Sequence, residues 1–262
     1  MGAAFLMLFS VFTWARAELW GDVEKLSLVW THENPGSIRA QQQAAIIFAR
    51  RGQYAMASRH IEDAIRHHPK EPVLRLQRMS LGCAFRRIPE QEVEEAARLL
   101  ATQDLSTYTL RNLENLADLV LNGKCSLTEE DILKLADAML SHPHIGWAPG
   151  MQQALLYLKA RVLASQGRGK EAEKALLKAF HLAPTPQAGM QIVGMLATLG
   201  RYQAALELLD EVESRVKAIE KGGSLKARLM LKAYDFEHEI PRIRTQIIED
   251  MKSARRPHIG LG

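Results

Sequence analysis

Residues 38–69 read IRAQQQAAIIFARRGQYAMASRHIEDAIRHHP. Ala44, Ala45, Ile47 and Phe48 recur at helical spacing and make one apolar stripe. Gly52 interrupts it, and Tyr54, Ala57, Ile61, Ala64 and Ile65 make a second stripe that stops at Pro69. The pattern predicts two amphipathic helices joined by a tight turn. Such a hairpin cannot bury both stripes by itself, so the stretch also predicts neighbours to stack on.

Self-comparison at a period of roughly 34 residues finds them. QALLYLKARVLASQGRGKEAEKALLKAFHLAP (residues 153–184) has Gly167 at the turn, Ala172 and Ala179 in the second helix, and Pro184 at the end. MQIVGMLATLGRYQAALELLDEV (residues 190–212) has Gly200, Tyr202, Ala205, Leu209 and Val212 at matching offsets. Small residues at Ala57, Ala172 and Ala205 let helices approach closely, and the glycines supply the turns.

These residues resemble the tetratricopeptide repeat: Gly52, Tyr54, Ala57, Ala64 and Pro69 in residues 38–71; Gly167, Ala172, Ala179 and Pro184 in residues 153–186; Gly200, Tyr202 and Ala205 in residues 186–219. The family's large aromatic early in the first helix is replaced by Gln41, Leu156 and Gly189. The resemblance implies an all-α, helical-hairpin (TPR-like) solenoid whose first helices line a concave partner-binding surface. Carried over position by position, that groove is Arg39, Gln42, Ile46 and Arg50, then Tyr157 and Arg161, then Gln187 and Met190. Arg39, Arg50 and Arg161 suit bidentate pairing with carboxylates or phosphates, and an ordinary solvated face is the equal alternative. The Lys/Asn pattern by which some relatives clamp a C-terminal carboxylate is not met, because Gln42 and Ile46 occupy key positions.

The sequence divides into an apolar membrane-anchor or signal-like segment (1–17), an amphipathic lead-in helix (18–37), a repeat (38–71), degenerate helical hairpins (72–150), two repeats (151–220), and capping helices with a basic tail (221–262). In the off-pattern middle, helices are predicted at 73–85, 91–101, 107–121 and 129–140, and at 151–166 leading into the next repeat. Thr128 is placed to cap the fourth of these, with Glu129, Glu130 and Asp131 at its positive end. Around Pro241, Ile240, Ile243, Ile247 and Met251 align on one face, as a C-terminal capping helix requires.

Hydrophobic residues at 47% and charged residues at 24% exclude a disordered chain. Net charge is +4, concentrated from Arg215 to Gly262, where eleven Lys/Arg meet six Asp/Glu. With aromatics at 6% and no RNA-binding motif, this basic balance reads as solvated helix faces and not as a nucleic-acid surface. Cys83 and Cys125 fit no zinc or redox spacing. Two buried free thiols are the plain reading, with one disulfide open in an oxidising compartment.

No catalytic or cofactor signature survives inspection, so the chain reads as non-enzymatic, with no cofactor, metal or small-molecule substrate implied. Gly123-Lys-Cys-Ser ends like a phosphate loop, but Asp118 stands where its first glycine belongs and Cys125 where the Mg²⁺-reaching hydroxyl belongs. Gly167-Arg-Gly169-Lys follows no strand. His67, His68, His142 and His144 lie at predicted loop positions without converging ligands, and the acids of residues 90–95 have no catalytic partner.

The N-terminus, MGAAFLMLFSVFTWARAELWGD, sets location. Its uncharged run ends before Arg16 and spans about 21 Å as helix, against about 30 Å of hydrocarbon core. Ala15-Arg-Ala17 looks like a cleavage site, but no Lys or Arg precedes the run. Leu6 removes myristoylation. Residues 16–40 resemble the junction of bacterial polytopic envelope proteins, lipid-linked-sugar glycosyltransferases and O-antigen ligase-like enzymes, where a last transmembrane helix enters a repeat domain. That resemblance implies Arg16 and the tryptophans at the membrane boundary, and a run that is the end of a span continuing upstream. The leading expectation is therefore a protein–protein interaction scaffold at the bacterial cell envelope, anchored by a transmembrane helix, with periplasmic repeats and protein partners of unknown identity. A repeat tail of a membrane enzyme acting on lipid-linked glycans is second, and a cytoplasmic adaptor third.

Overall fold

The protein is described here from a computed structural model that covers residues 2–254; the basic tail's Arg255 and Arg256 lie outside the described residues. It is all-α, and no strand occurs among the described residues. Packing separates two units, which divide after Pro143, inside the predicted 72–150 segment.

The first unit contains α1 (Gly2–Trp20), α2 (Val23–Glu33), α3 (Ile38–Arg50), α4 (Tyr54–His67), α5 (Pro72–Gly82), α6 (Glu90–Thr102), α7 (Thr107–Leu121) and α8 (Glu129–Leu140). The second opens around a short 3₁₀ turn (Pro143–Trp147) and holds α9 (Pro149–Ser165), α10 (Gly169–Leu182), α11 (Pro186–Thr198), α12 (Tyr202–Gly222), α13 (Leu225–Lys232) and α14 (Phe236–Ala254).

Four hairpin turns share one backbone device. Gly52, Gly123, Gly167 and Gly200 have φ of 72°, 66°, 72° and 68°, the left-handed region that side chains with a Cβ avoid. After each, the next residue's N–H reaches back five residues: Gln53 to the Phe48 carbonyl (2.8 Å), Lys124 to Leu119 (2.8 Å), Arg168 to Leu163 (2.9 Å) and Arg201 to Leu196 (2.8 Å). This is the Schellman closure, which satisfies carbonyls a helix end leaves open. Three of these glycines belong to the predicted repeats. The fourth, Gly123, shows that the off-pattern middle contains the same turn, stretched by the residues before α8.

Within hairpins, α3 packs on α4, α9 on α10 and α11 on α12. Ala45, Ala57, Ile61, Ala64, Ile65, Val73 and Leu74 form the core joining α3, α4 and α5. Thr128 caps α8 as predicted: its side chain accepts from the Asp131 N–H, and Asp131 accepts from the Thr128 N–H. Ser106 and Thr109 do the same for α7.

The middle helices stack differently, α5 beside α7 and α6 beside α8. Between α5 and α6 runs an ionic seam. Glu92 is buried and accepts from Arg78 Nε at 2.9 Å and from Arg86 at 2.9 and 3.0 Å. Arg75, also buried, pairs with Glu95 at 2.9 Å and donates to the Pro69 carbonyl. Desolvation works against the Arg75 charge and Glu95 works for it.

Where the repeat aromatic is missing, its space is filled from elsewhere. A Cβ on Gly189 would lie 2.2 Å from Val212 Cγ2 and 2.9 Å from Phe180 Cε2. Phe180, fully buried, occupies the place such a side chain would take. Gln41 is buried too, donating to the Pro35 carbonyl at 2.9 Å while its Oε1 accepts from His60 Nδ1 at 2.8 Å.

Two expectations are corrected. No helix among the described residues is long and apolar enough to cross a membrane, so the transmembrane helix is not found. Helix α1 does run from Gly2 to Trp20, but Arg16 and Glu18 fall inside it and end the apolar stretch early. The two cysteines are not free thiols: Cys83 and Cys125 form a disulfide, with Cα atoms 4.4 Å apart.

At the far end, Ile240 and Ile247 of α14 are buried on the side that packs against α12. Arg244 fastens it there, donating to Asp210 at 2.5 Å and Glu213 at 2.8 Å of α12.

Candidate interaction surface

In the first unit, α3 carries the carried-over groove positions. Arg39, Ile46 and Arg50 are exposed, and Gln42 donates to the Gln77 side chain of α5 at 2.9 Å. That bond sets α5 beside α3 on this face. Arg39 and Arg50 have no ion pair or side-chain hydrogen bond among the described residues, whereas the neighbouring Arg51 is tied to Glu24 of α2. An arginine without a carboxylate keeps its five donors available for a ligand.

In the second unit, Tyr157 and Arg161 lie on α9, and Gln187 and Met190 on α11, all half-buried. Arg161 and Gln187 each already have an interaction partner within the protein. The eight positions thus fall on two separate units, four on each.

Sequence reading did not anticipate three features. Tyr54 and Phe85 stack at 6.4 Å between centroids and stay partly exposed at the first unit's surface. Trp20 and Trp30 meet edge-to-face at 6.4 Å where α1 joins α2. Tyr54 and Phe85 lie far apart along the chain, and only the tryptophan pair left a trace in the sequence, as two tryptophans that follow Arg16. The third is the tie between two loops: beside the Cys83–Cys125 bond, the Ile88 N–H donates to Ser126 Oγ at 3.0 Å.

The side chains on α1 form the largest uncovered apolar surface described. Phe5, Met7, Leu8, Phe9, Val11, Phe12 and Trp14 are each at least 53% exposed, and α1 packs on α2. A helix apolar all round normally lies inside protein or lipid.

The histidines serve the fold. His68 Nε2 donates to the Gly36 carbonyl at 2.7 Å, and His60 stacks on Phe48 at 5.2 Å. Among the described residues no group of three or more His, Cys, Asp or Glu is placed to hold a metal ion. A cavity of about 640 Å³ at the start of α14 mixes Arg228 and Lys232 with Glu220, Asp235 and Glu237 around Tyr234 and Phe236, which gives it no single chemical preference.

No family model matches the chain, and no curated protein matches it in sequence. The resemblance to envelope glycosyltransferase and ligase tails is therefore not shown. Among solved structures, the assembly chaperone of RpL4 (Acl4, residues 1–338) is similar over 95% of this chain and 98% of that one, at 13% identity and a TM-score of 0.43.

Proposed function

We propose that the chain is a non-enzymatic interaction scaffold of stacked helical hairpins, held at a membrane by α1, with its repeats in an oxidising compartment such as the bacterial periplasm. One observation carries the reading: the apolar side chains of α1 are exposed on every side, a state that water penalises by roughly 25 cal/mol for each Å².

Lipid is the cover this helix suits. Its apolar stretch has no polar face, so it does not match a helix lying in the interface plane, which needs one. It suits end-on entry from one side, with Arg16, Glu18 and Trp20 left at headgroup level, where tryptophan and arginine are favoured. Among the described residues, α1 is not long and apolar enough to cross a membrane. The disulfide supports the compartment, because such bonds persist where thiols are oxidised and are rare where glutathione keeps them reduced.

The scaffold role rests on what the hairpins leave outward: Ile46 and Arg50 on α3, with Tyr54 and Phe85 stacked at the same unit's surface. Exposed arginine and aromatic side chains are among those that protein interfaces favour.

Flotation with vesicles of neutral phosphatidylcholine tests the membrane reading. The full chain is expected to float, and the F9D/F12D variant to remain at the bottom with its thermal unfolding unchanged. A wild-type chain that stays at the bottom overturns the proposal.

A further inference from the structure

The junction between α1 and α3 carries two clefts, each lined by one ring of the Trp20–Trp30 contact. On one side of the Trp20–Trp30 contact, Phe12, Arg16 and Trp20 line a shallow groove on α1. On the other, Trp30, Asn34, Ser37 and Arg39 line a cleft of about 280 Å³ between α2 and α3. Each cleft therefore combines a tryptophan ring with an arginine.

Both arginines are exposed, and neither has an ion pair or side-chain hydrogen bond among the described residues. Their basic neighbours are otherwise occupied: Lys25 pairs with Asp22 at 3.4 Å, and Arg51 with Glu24. The nearby acids Glu18 and Glu33 line neither cleft. Glu18 stands two residues from Arg16, a spacing that points side chains to different sides of a helix.

We propose that each of these clefts seats the phosphate of an anionic phospholipid headgroup, with Arg16 the donor in one, Arg39 the donor in the other, and the Trp20–Trp30 contact between them. The ligand is amphiphilic because the site is. The α1 groove runs from Arg16 directly onto Phe12, so a phosphate held there has its acyl chains beside the exposed apolar helix. A soluble acidic peptide would use the arginines and leave that apolar continuation bare. Guanidinium groups bind phosphate through paired N–H donors, and indole rings hold the polar–apolar boundary.

This inference rests on the membrane reading above, and the experiment separates the two. The full chain is floated at physiological ionic strength with phosphatidylcholine vesicles, and with vesicles containing phosphatidylglycerol. The wild type is expected to bind the second more tightly. R16Q/R39Q is expected to lose that increment by roughly 30-fold, about fivefold for each arginine near an anionic surface. Its binding to phosphatidylcholine and its thermal unfolding stay as in the wild type. K70Q/K124Q, which removes the same charge from elsewhere in the first unit, is expected to keep the increment. Three results overturn the proposal while leaving the membrane reading intact: equal binding to both vesicles, an increment unaffected in R16Q/R39Q, or an increment lost equally in K70Q/K124Q. A chain that floats with neither vesicle overturns both.

Discussion

Cys83, just past the end of α5, is disulfide-bonded to Cys125, in the connection between α7 and α8, across 42 residues of chain. The bond ties together two connections that are longer than the tight turns of the clearer repeats. Both α5 and α7 are first helices of their hairpins and pack side by side. The disulfide fixes that stacking at one end.

Reduction of this bond is expected to destabilise the first unit. Closing a loop of this length removes denatured-state entropy equivalent to about 4 kcal/mol in the chain-entropy model. Urea unfolding of the C83S/C125S variant measures it. The expected outcome is a lower midpoint, with a comparable shift in wild type treated with dithiothreitol. Equal midpoints with and without reductant would show that the loops hold their places unaided.

The buried ion cluster gives a second expectation. Glu92 faces Arg78 and Arg86, whose side chains are only 21% and 28% exposed. E92Q strips the countercharge while preserving shape, leaving two poorly hydrated guanidinium groups. A loss of about 3 kcal/mol is expected, at the lower end for breaking a buried pair because both arginines retain some water. By contrast K134Q, which breaks the exposed Lys134–Glu94 contact, should change stability by no more than about 1 kcal/mol.

Two glycines of α11 make a matched pair. G189A drives a methyl into Val212 and Phe180, which are both fully buried. It is expected to cost about 1–3 kcal/mol by overpacking. At Gly194 nothing lies within 4 Å of the added carbon. G194A should stabilise the helix by roughly 1 kcal/mol through backbone entropy. Thermal unfolding of the two variants should shift in opposite directions.

His60 makes the α3–α4 hairpin sensitive to acid. Desolvation lowers its pKa in the folded state below the ordinary 6.5, with Asp63 acting in the opposite sense. A lowered histidine pKa means that the fold prefers the neutral ring. The contribution is therefore present above 6.5 and is lost as pH falls below that value. The wild type is expected to lose more thermal stability between neutral and mildly acid pH than H60Q does. Parallel pH profiles for the two proteins would rule His60 out as the source.

The helices were legible in the sequence because local signals set them. Thr107–Leu121 and Glu129–Leu140 have the bounds expected from the sequence, and Thr128 caps the second as expected. The turn glycines Gly52, Gly167 and Gly200 were recognised by their spacing, while Gly123 was not. Five residues separate it from α8, so it breaks the period and looks instead like the remnant of a phosphate loop. The disulfide was out of reach for another reason: whether Cys83 and Cys125 meet depends on how α5 stacks on α7, a tertiary fact with no local signature. The same holds for Gly189, whose missing side chain makes sense only once Phe180 is seen to fill the space. For the candidate surface, the repeat resemblance pointed to Arg39, Ile46 and Arg50 of α3, but it carried no information on Tyr54 meeting Phe85 or on the clefts beside the tryptophan pair.

The account depends most on α1 entering lipid, and tryptophan fluorescence reads this directly. Two variants suffice: one keeping only Trp14, on α1, and one keeping only Trp147, which is 90% exposed in the second unit. Each is mixed with vesicles whose acyl chains carry bromine, a contact quencher. The account predicts strong quenching of Trp14 and none of Trp147. Trp14 emission that is unchanged by brominated lipid, or no more quenched than that of Trp147, would contradict it.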